Sequence, residues 1–594
     1  MRDVRAAGAT LLALCAVAAA ASGTQAGRGI VPAERRIAWH AGVAGGIPDV
    51  PVRANVRDFG ARGDGVTDDA AAFQAAIASV TTSGAVFVPE GTYLLGRALR
   101  MASGVVLRGA GPQQTHLNVN HAGHAVEFTR FERGAWVSAR AGLRKGSSVV
   151  TLDDASRFVV GRWAEIDQEN DPAVMYTDPE WDQPWSVNAV GQIVRVTAIA
   201  GNQVTIDPPL HIDFDLRLRP RVRPQRLLER AGIESLHLRR LDSSDTHMIN
   251  MQNVSEVWVS RILSERAAKS HVEVNTGSRV EIRDSDFRDA SNHGGGGHGY
   301  GINLSQRTTG ALVENNVFRR LRHSMLVQVG VNGSVFGYNY SRETQSEAAW
   351  VPPDISVHGH YPFANLFEGN IVQGAAVTDY WGPAGPHNLF FRNRVEHAYG
   401  FRLADASHYQ NVVGNEIAGG AITRDATVDA ATLIVHGNRV HGTVSWDAAI
   451  ADRELPESYY LDAQPPFFGD MAWPGTGADI ADGINPAKSR YLAEAGPLTR
   501  PGAPGAPRIV AAGTGLSIGW TDPTRGSAPA RYTVVARLRC DGPIVAELPV
   551  GNLTSAAVTG AEGAFCLSVR AANAAGDGPE SPRVLVSVEG GHRR

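Results

Sequence analysis

The stretch SNHGGGGHGYGINLS, residues 291–305, sets His293, His298 and Tyr300 around four consecutive glycines. Glycine buries no side chain and loses the most backbone entropy on ordering, so such a run marks backbone that bends sharply or approaches a ligand closely. A second stretch, ETQSEAAWVPPDISVHGHYP at 343–362, carries His358, His360 and Tyr361. Between the two stands His323, and beyond them come Asp379, Trp381 and Arg402. Histidine and tyrosine remove and return protons, and arginine neutralises carboxylates. Eliminative cleavage of a uronate polymer needs those services: a neutralised carboxylate, a base for the proton alpha to it, and an acid for the leaving oxygen. Hydrolysis needs paired carboxylates at a set separation, for which Asp379 and Asp405 are the candidates here. The reading therefore places His293, His298, Tyr300 and His323 as catalytic candidates, with His298 or His323 as base and Tyr300 as acid. His358, His360, Tyr361, Asp379, Trp381 and Arg402 are expected to bind substrate. No HExxH-like spacing or cysteine partner turns these histidines into zinc ligands.

These residues have to be positioned by a repeat. Between 256 and 445 an apolar pair recurs, followed three residues on by asparagine or a substitute, as in ALVENNVF (311–318), NLFEGNIV (365–372) and LIVHGNRV (433–440). Alternating Val, Ile and Phe predict strands, and the recurring asparagines predict a ladder of stacked turns. The equivalent positions are Ile262, Ser285, Asn316, Asn339, Asn370, Asn393, Asn415 and Asn438, with gaps of 23, 31, 23, 31, 23, 22 and 23. The coil is thus about 23 residues, lengthened by eight in two places, and those two insertions carry the histidine-rich stretches. Strands of neighbouring coils stack about 5 Å apart, so loops two coils apart would flank a groove roughly 10 Å across.

Upstream, NVRDFGARGDGVTDDAAAFQAAI (55–77) is followed by GAVFVPEGTYLL (84–95). The first is a glycine-rich turn, with Thr67 or Asp68 capping a helix, and the second a buried strand ending in Pro-x-Gly. The pair resembles the N-terminal cap of the pectate-lyase-like, right-handed parallel β-helix superfamily, which includes polysaccharide lyases, polygalacturonase-type hydrolases, epimerases and phage tailspikes. The resemblance implies an all-β solenoid over 50–490 and a structural role for Asp64, Asp68 and Asp69. The polygalacturonase signature of Asn-Thr-Asp, paired Asp and Gly-His-Gly is absent as a set.

Residues 135–214 break the coil pattern and predict an inserted β-subdomain whose loop at 175–188 carries Tyr176, Trp181 and Trp185, for stacking on sugars or for wedging the loop. RPGAPGAP at 500–507 reads as an extended linker. After it, 503–590 predicts a small β-sandwich that resembles a fibronectin type III domain, with Trp520 at the core position and VRAANAAGDGPES (569–581) as its last hairpin. Its Cys540 and Cys566 allow one disulfide, with Cys566 expected on the outer face of its strand. Residues 1–26 read as a secretory signal, with Arg2 and Arg5 before an apolar, alanine-rich run too short for a membrane span.

A net charge of -4 over 594 residues makes no electrostatic case for nucleic acid. The expectation is a secreted, monomeric, carbohydrate-active enzyme that cleaves an anionic polysaccharide by β-elimination, with no membrane or nucleic-acid partner. A polygalacturonase-like hydrolase, an epimerase and a non-catalytic glycan-binding adhesin are the alternatives. No cofactor is required by this reading; calcium is the one candidate metal, and DSDFRD (284–289) is the nearest acidic cluster.

Overall fold

The computed structural model describes residues 29–588 except 178, 348–350, 378–380, 496–498, 513–514, 524, 527–528, 530, 552–553, 560–562 and 574. The leader at 1–26 and Asp379 lie outside the described residues. A 12-stranded parallel sheet runs the length of the main domain, from Val52–Asn55 through Leu312–Glu314 to Ile434–His436. The remaining strands of each coil form the other walls, and neighbouring coils pair parallel and in register.

Asparagine amides hold coil on coil. Asn316 Nδ2 donates to Asn339 Oδ1 at 3.0 Å, Asn339 to Asn370 at 2.9 Å, Asn370 to Asn393 at 2.9 Å, and Asn393 to Asn415 at 3.0 Å. A second ladder, Asn365 to Asn388 to Gln410, does the same at another corner. Inside, Phe336, Phe367 and Phe390 stack at 5.0 and 4.8 Å, the strand spacing itself. The cap helix Ala70–Ser79 starts after Asp69, whose carboxylate accepts from the Arg62 and Gly63 amides; Asp68 accepts from the Ala70 amide. Asp64 is pulled down to about 2 by the backbone N–H groups of Thr67 and Val66. All three acids shape the cap.

Three boundaries differ from the sequence reading. The insert spans more than 135–214, because its sheet takes in Glu132–Arg133 and Arg221–Arg226. Arg221–Arg226 pairs with both Trp163–Asp167 and Val137–Ala141, closing six of the seven strands into an antiparallel barrel. The coils end at the hairpin Asn438–Val440 and Thr443–Ser445, short of 490. Residues 446–485 instead run back over the 12-stranded sheet, where Tyr460 donates to Glu314 at 2.8 Å and the Tyr459 amide to Glu368 at 2.8 Å. The N-terminal segment covers the same sheet, with Trp39 Nε1 on the Ala364 carbonyl at 2.9 Å. Lastly, 500–507 is packed: Pro501, Pro504 and Pro507 are buried, and the Gly502 and Gly505 amides bond to Arg525 and Thr521.

The tail is a β-sandwich of a three-stranded and a five-stranded antiparallel sheet, with Trp520 and Tyr532 packed edge to face at 5.6 Å. Cys540 and Cys566 are bonded, with Cα atoms 5.0 Å apart. Cys566 alternates with core-facing Leu567 and so lies on the outer face of its strand, beside Arg537 and the exposed Leu585; it is fully buried there because its strand is central and Cys540 is bonded over it.

Candidate functional site

With the 12-stranded sheet covered, a second wall, built from Val126–Thr129, Ile249–Ser255, Ser270–Ser278 and Tyr300–Ser305, is left open at its start, where Glu127, Thr129 and Gln252 reach solvent. There the register aligns Glu127, Asn250, Glu273 and Asn303 on four successive strands, while Val126, Ile249, Val272 and Ile302 beside them point into the core. A groove of about 440 Å³ lies along the first of these, lined by Arg100, His124, Glu127, Thr129, Asn250 and Gln252. Glu273 stands on the next strand, as the register partner of Asn250. Its Oε2 accepts from Ser270 Oγ at 3.1 Å and Asn303 Nδ2 at 2.8 Å, and burial raises its carboxyl to about 7 against those bonds and the charge of Lys269. His247 lies 3.7 Å away, held down to about 3 by burial and by the neighbouring His124 and Lys269.

Along the same wall the loops bring rings together. Tyr300 and His323 are register partners, with ring centroids 5.3 Å apart. His358 follows at 6.1 Å from His323, and Trp381 at 6.1 Å from His358. His323 Nδ1 bonds to the Pro353 carbonyl at 2.7 Å. A carbonyl only accepts, so Nδ1 carries the proton and Nε2 the lone pair. Burial, then the charge of Arg322 and the neighbouring His358, hold this ring well below the usual histidine range, so it is neutral and basic in form. Arg322 Nη1 approaches the Tyr300 hydroxyl at 3.4 Å and its guanidinium sits 5.8 Å from the ring centre.

Other expected site residues have different work. His298 bonds through Nε2 to Asp245 at 2.6 Å and through Nδ1 to the Gly295 carbonyl, so both nitrogens are engaged by the protein's own acceptors. His293 is tied to the Arg320 carbonyl at 2.9 Å and pins the glycine loop to the next coil. His360 is fully buried between Trp181 and Trp185, at 4.6 and 4.5 Å, and held down to about 4 chiefly by burial, so it cannot fix a carboxylate. Tyr361 packs into the core between barrel and coils, its hydroxyl pushed up to about 12 by burial. Arg402 is exposed but aligned with Ala376 and Ser356, three strands from His323 and so about 14 Å along the wall. Trp181 is the wedge, fully buried; Trp185 is 39% exposed and meets Trp381 at 5.7 Å. Asp284 and Asp286 are engaged by Arg283 and Arg319, and Asp289 by Arg320, which removes them as a calcium cradle. Among the described residues no group of three or more acidic, histidine or cysteine side chains is arranged to hold a metal ion. Nor is any described helix long and apolar enough to cross a membrane.

A profile for the family described as rhamnogalacturonase A/epimerase, pectate lyase-like, matches residues 53–156. The crystal structure of the Pseudomonas phage phi297 tailspike gp61 aligns with a TM-score of 0.50 and 15% identity, covering 65% of this chain and 69% of that one. The fold is the pectate-lyase-like right-handed parallel β-helix. This β-helix protein is also 47% identical over 57 residues to the pre-neck appendage protein of Bacillus phage phi29. It is 46% identical over 70 residues to mannuronan C5-epimerase AlgE4 of Azotobacter vinelandii. Those stretches span only 6% and 13% of the two relatives' own lengths, and 10% of this chain in each case.

Glu273, Asn303, Asn250, Glu127 and Arg322 were not among the residues singled out from the sequence of this β-helix protein. The first four sit on regular strands, where an outward polar residue looks like any solvated sheet position, and Arg322 sits in the bend just before His323–Val327. The available signal was the register: once the 23-residue coil is aligned on Asn316 and Asn339, outward polar positions fall into a line.

Proposed function

We propose that this chain is a secreted carbohydrate-active enzyme that cleaves an acidic polysaccharide by β-elimination. The observation that carries the reading is the Tyr300–His323 pair: a neutral imidazole with its lone pair on Nε2, packed against a phenol whose hydroxyl is approached by an arginine. Nε2 of His323 takes the proton alpha to the uronate carboxylate. The bond from the β-carbon to the glycosidic oxygen breaks as the carbon–carbon double bond forms, and Tyr300 gives its proton to the leaving oxygen. The Arg322 guanidinium steadies the negative charge that develops on the phenol oxygen. Tyr300 and His323 are 5% and 2% exposed, so neighbouring side chains have to shift as substrate reaches them. The Cys540–Cys566 disulfide supports an oxidising compartment.

One observation favours hydrolysis as the second reading. Glu127 and Glu273 stand on one outward line from strands two apart, about 10 Å, close to the separation of inverting glycosidases. One is held neutral up to about 7 and the other is ion-paired with Arg100 at 3.5 Å. The test is incubation with a panel of uronate and neutral polysaccharides, following ultraviolet absorbance and reducing ends together. Elimination raises both signals and hydrolysis only the second. Epimerisation, which shares the proton abstraction, raises neither but exchanges solvent deuterium into the polymer. Reducing ends without absorbance on every uronate polymer refute the proposal.

A further inference from the structure

The floor of the open wall has a feature that the Tyr300–His323 chemistry does not use. Glu273 and Asn303 are register partners on adjacent strands, joined by the Asn303 Nδ2 to Glu273 Oε2 bond at 2.8 Å. Glu273 is 8% and Asn303 5% exposed. Both continue the line of Glu127 and Asn250, which lines the 440 Å³ groove. Asn303 also lies three residues after Tyr300 on one strand, and Ser270, which bonds Glu273, is the register partner of Tyr300. The pair thus stands between the groove and the proposed catalytic rings.

We propose that Glu273 and Asn303 form the subsite that receives the carboxylate of a uronate unit. The proposal rests on the elimination reading for what happens next, but not for the binding itself. Ser270 and Asn303 both donate to Oε2. A proton on the carboxyl therefore sits on Oε1, where the O–H is a donor for an incoming anion, and O–H to carboxylate bonds are among the shortest and strongest available. The second Nδ2 hydrogen of Asn303 is the partner donor. An ionised Glu273 would repel the same anion. The surroundings favour the neutral acid. His247 at 3.7 Å is uncharged, and Lys269 is drawn to Asp245 at 3.6 Å, which also holds His298. Burial then brings the carboxyl to about 7.

The experiment is calorimetric binding of oligogalacturonate and oligomannuronate, each beside its carboxyl-reduced form, to the full chain carrying His323→Ala to stop turnover. At pH 5.5 the uronate is expected to bind at least ten-fold tighter than its reduced form. By pH 8.5 the neutral fraction of Glu273 falls roughly thirty-fold, and uronate affinity with it. Glu273→Gln keeps a donor at every pH, so its affinity should be flat across that range; Asn303→Asp should lose uronate binding at both ends. Near-ultraviolet circular dichroism of each variant separates lost binding from lost folding. A pH-independent wild-type affinity, or Glu273→Gln that binds no uronate at pH 5.5 while folded, overturns the subsite. If the binding pattern holds but the unmutated chain yields no unsaturated product, elimination fails and the subsite stands.

Discussion

Replacing Asn370 by alanine tests the physical basis of coil stacking. Asn370 Oδ1 accepts from the Asn339 amide at 3.0 Å and from Asn339 Nδ2 at 2.9 Å. Its Nδ2 donates to the Phe336 carbonyl at 2.8 Å and to Asn393 Oδ1 at 2.9 Å. The side chain is fully buried, so water does not replace it readily. A hydrogen bond nets roughly 1 kcal/mol, and each buried partner left without one costs about 1–3 kcal/mol. The Asn339 amide and Phe336 carbonyl lose their bond to this side chain, while Asn339 Nδ2 keeps Val313 and Asn393 Oδ1 keeps the Asn370 amide. The sum is a loss of about 4 kcal/mol for Asn370→Ala. Asn202→Ala, at an exposed turn with one bond to the Asp153 carbonyl, should cost less than about 1 kcal/mol. Urea unfolding followed by tryptophan fluorescence measures both. A loss below about 1 kcal/mol for Asn370→Ala would show that the amide ladder follows the stacking rather than holding it.

Tyr300→Phe and His323→Ala are each expected to lower turnover about 10²–10⁴-fold with unchanged circular dichroism; retained turnover in both, with Glu127→Gln inactive, would move the chemistry to the carboxylates. Acid should weaken the fold: burial holds His211 and His271 at about 4, below the unfolded value, so the unfolded chain takes up the extra protons. That stability is complete above about pH 6.5 and is lost as pH falls toward 4, by about 3 kcal/mol for each histidine; equal urea midpoints at pH 7.5 and 4.5 would contradict it. Reducing Cys540–Cys566 should destabilise the sandwich by about 2–4 kcal/mol and leave polysaccharide cleavage intact. Differential scanning calorimetry with and without reductant, alongside the cleavage assay, checks both halves.

The coil was legible in the residues because it is a local rule repeated. Each turn needs an amide at one position and a branched or aromatic residue at the next inward ones, so the period, the two lengthened coils and the capping acids show in the chain itself. The Tyr300–His323 pairing follows from that period, since partners 23 residues apart stack. What the period cannot show is which way a long loop turns. His360 looked like a ligand beside His358, yet its ring is claimed by Trp181 and Trp185 of a barrel some 180 residues earlier in the chain. His298 likewise lost its free nitrogen to Asp245, 53 residues away. Glu273 acquires its character only in the fold, because a carboxyl changes its protonation when water is removed from around it, and burial is a property of the assembled wall. Residue types and spacing determined the scaffold and the line of positions along it; solvent exclusion and contacts between distant segments decided which of those positions can hold a proton.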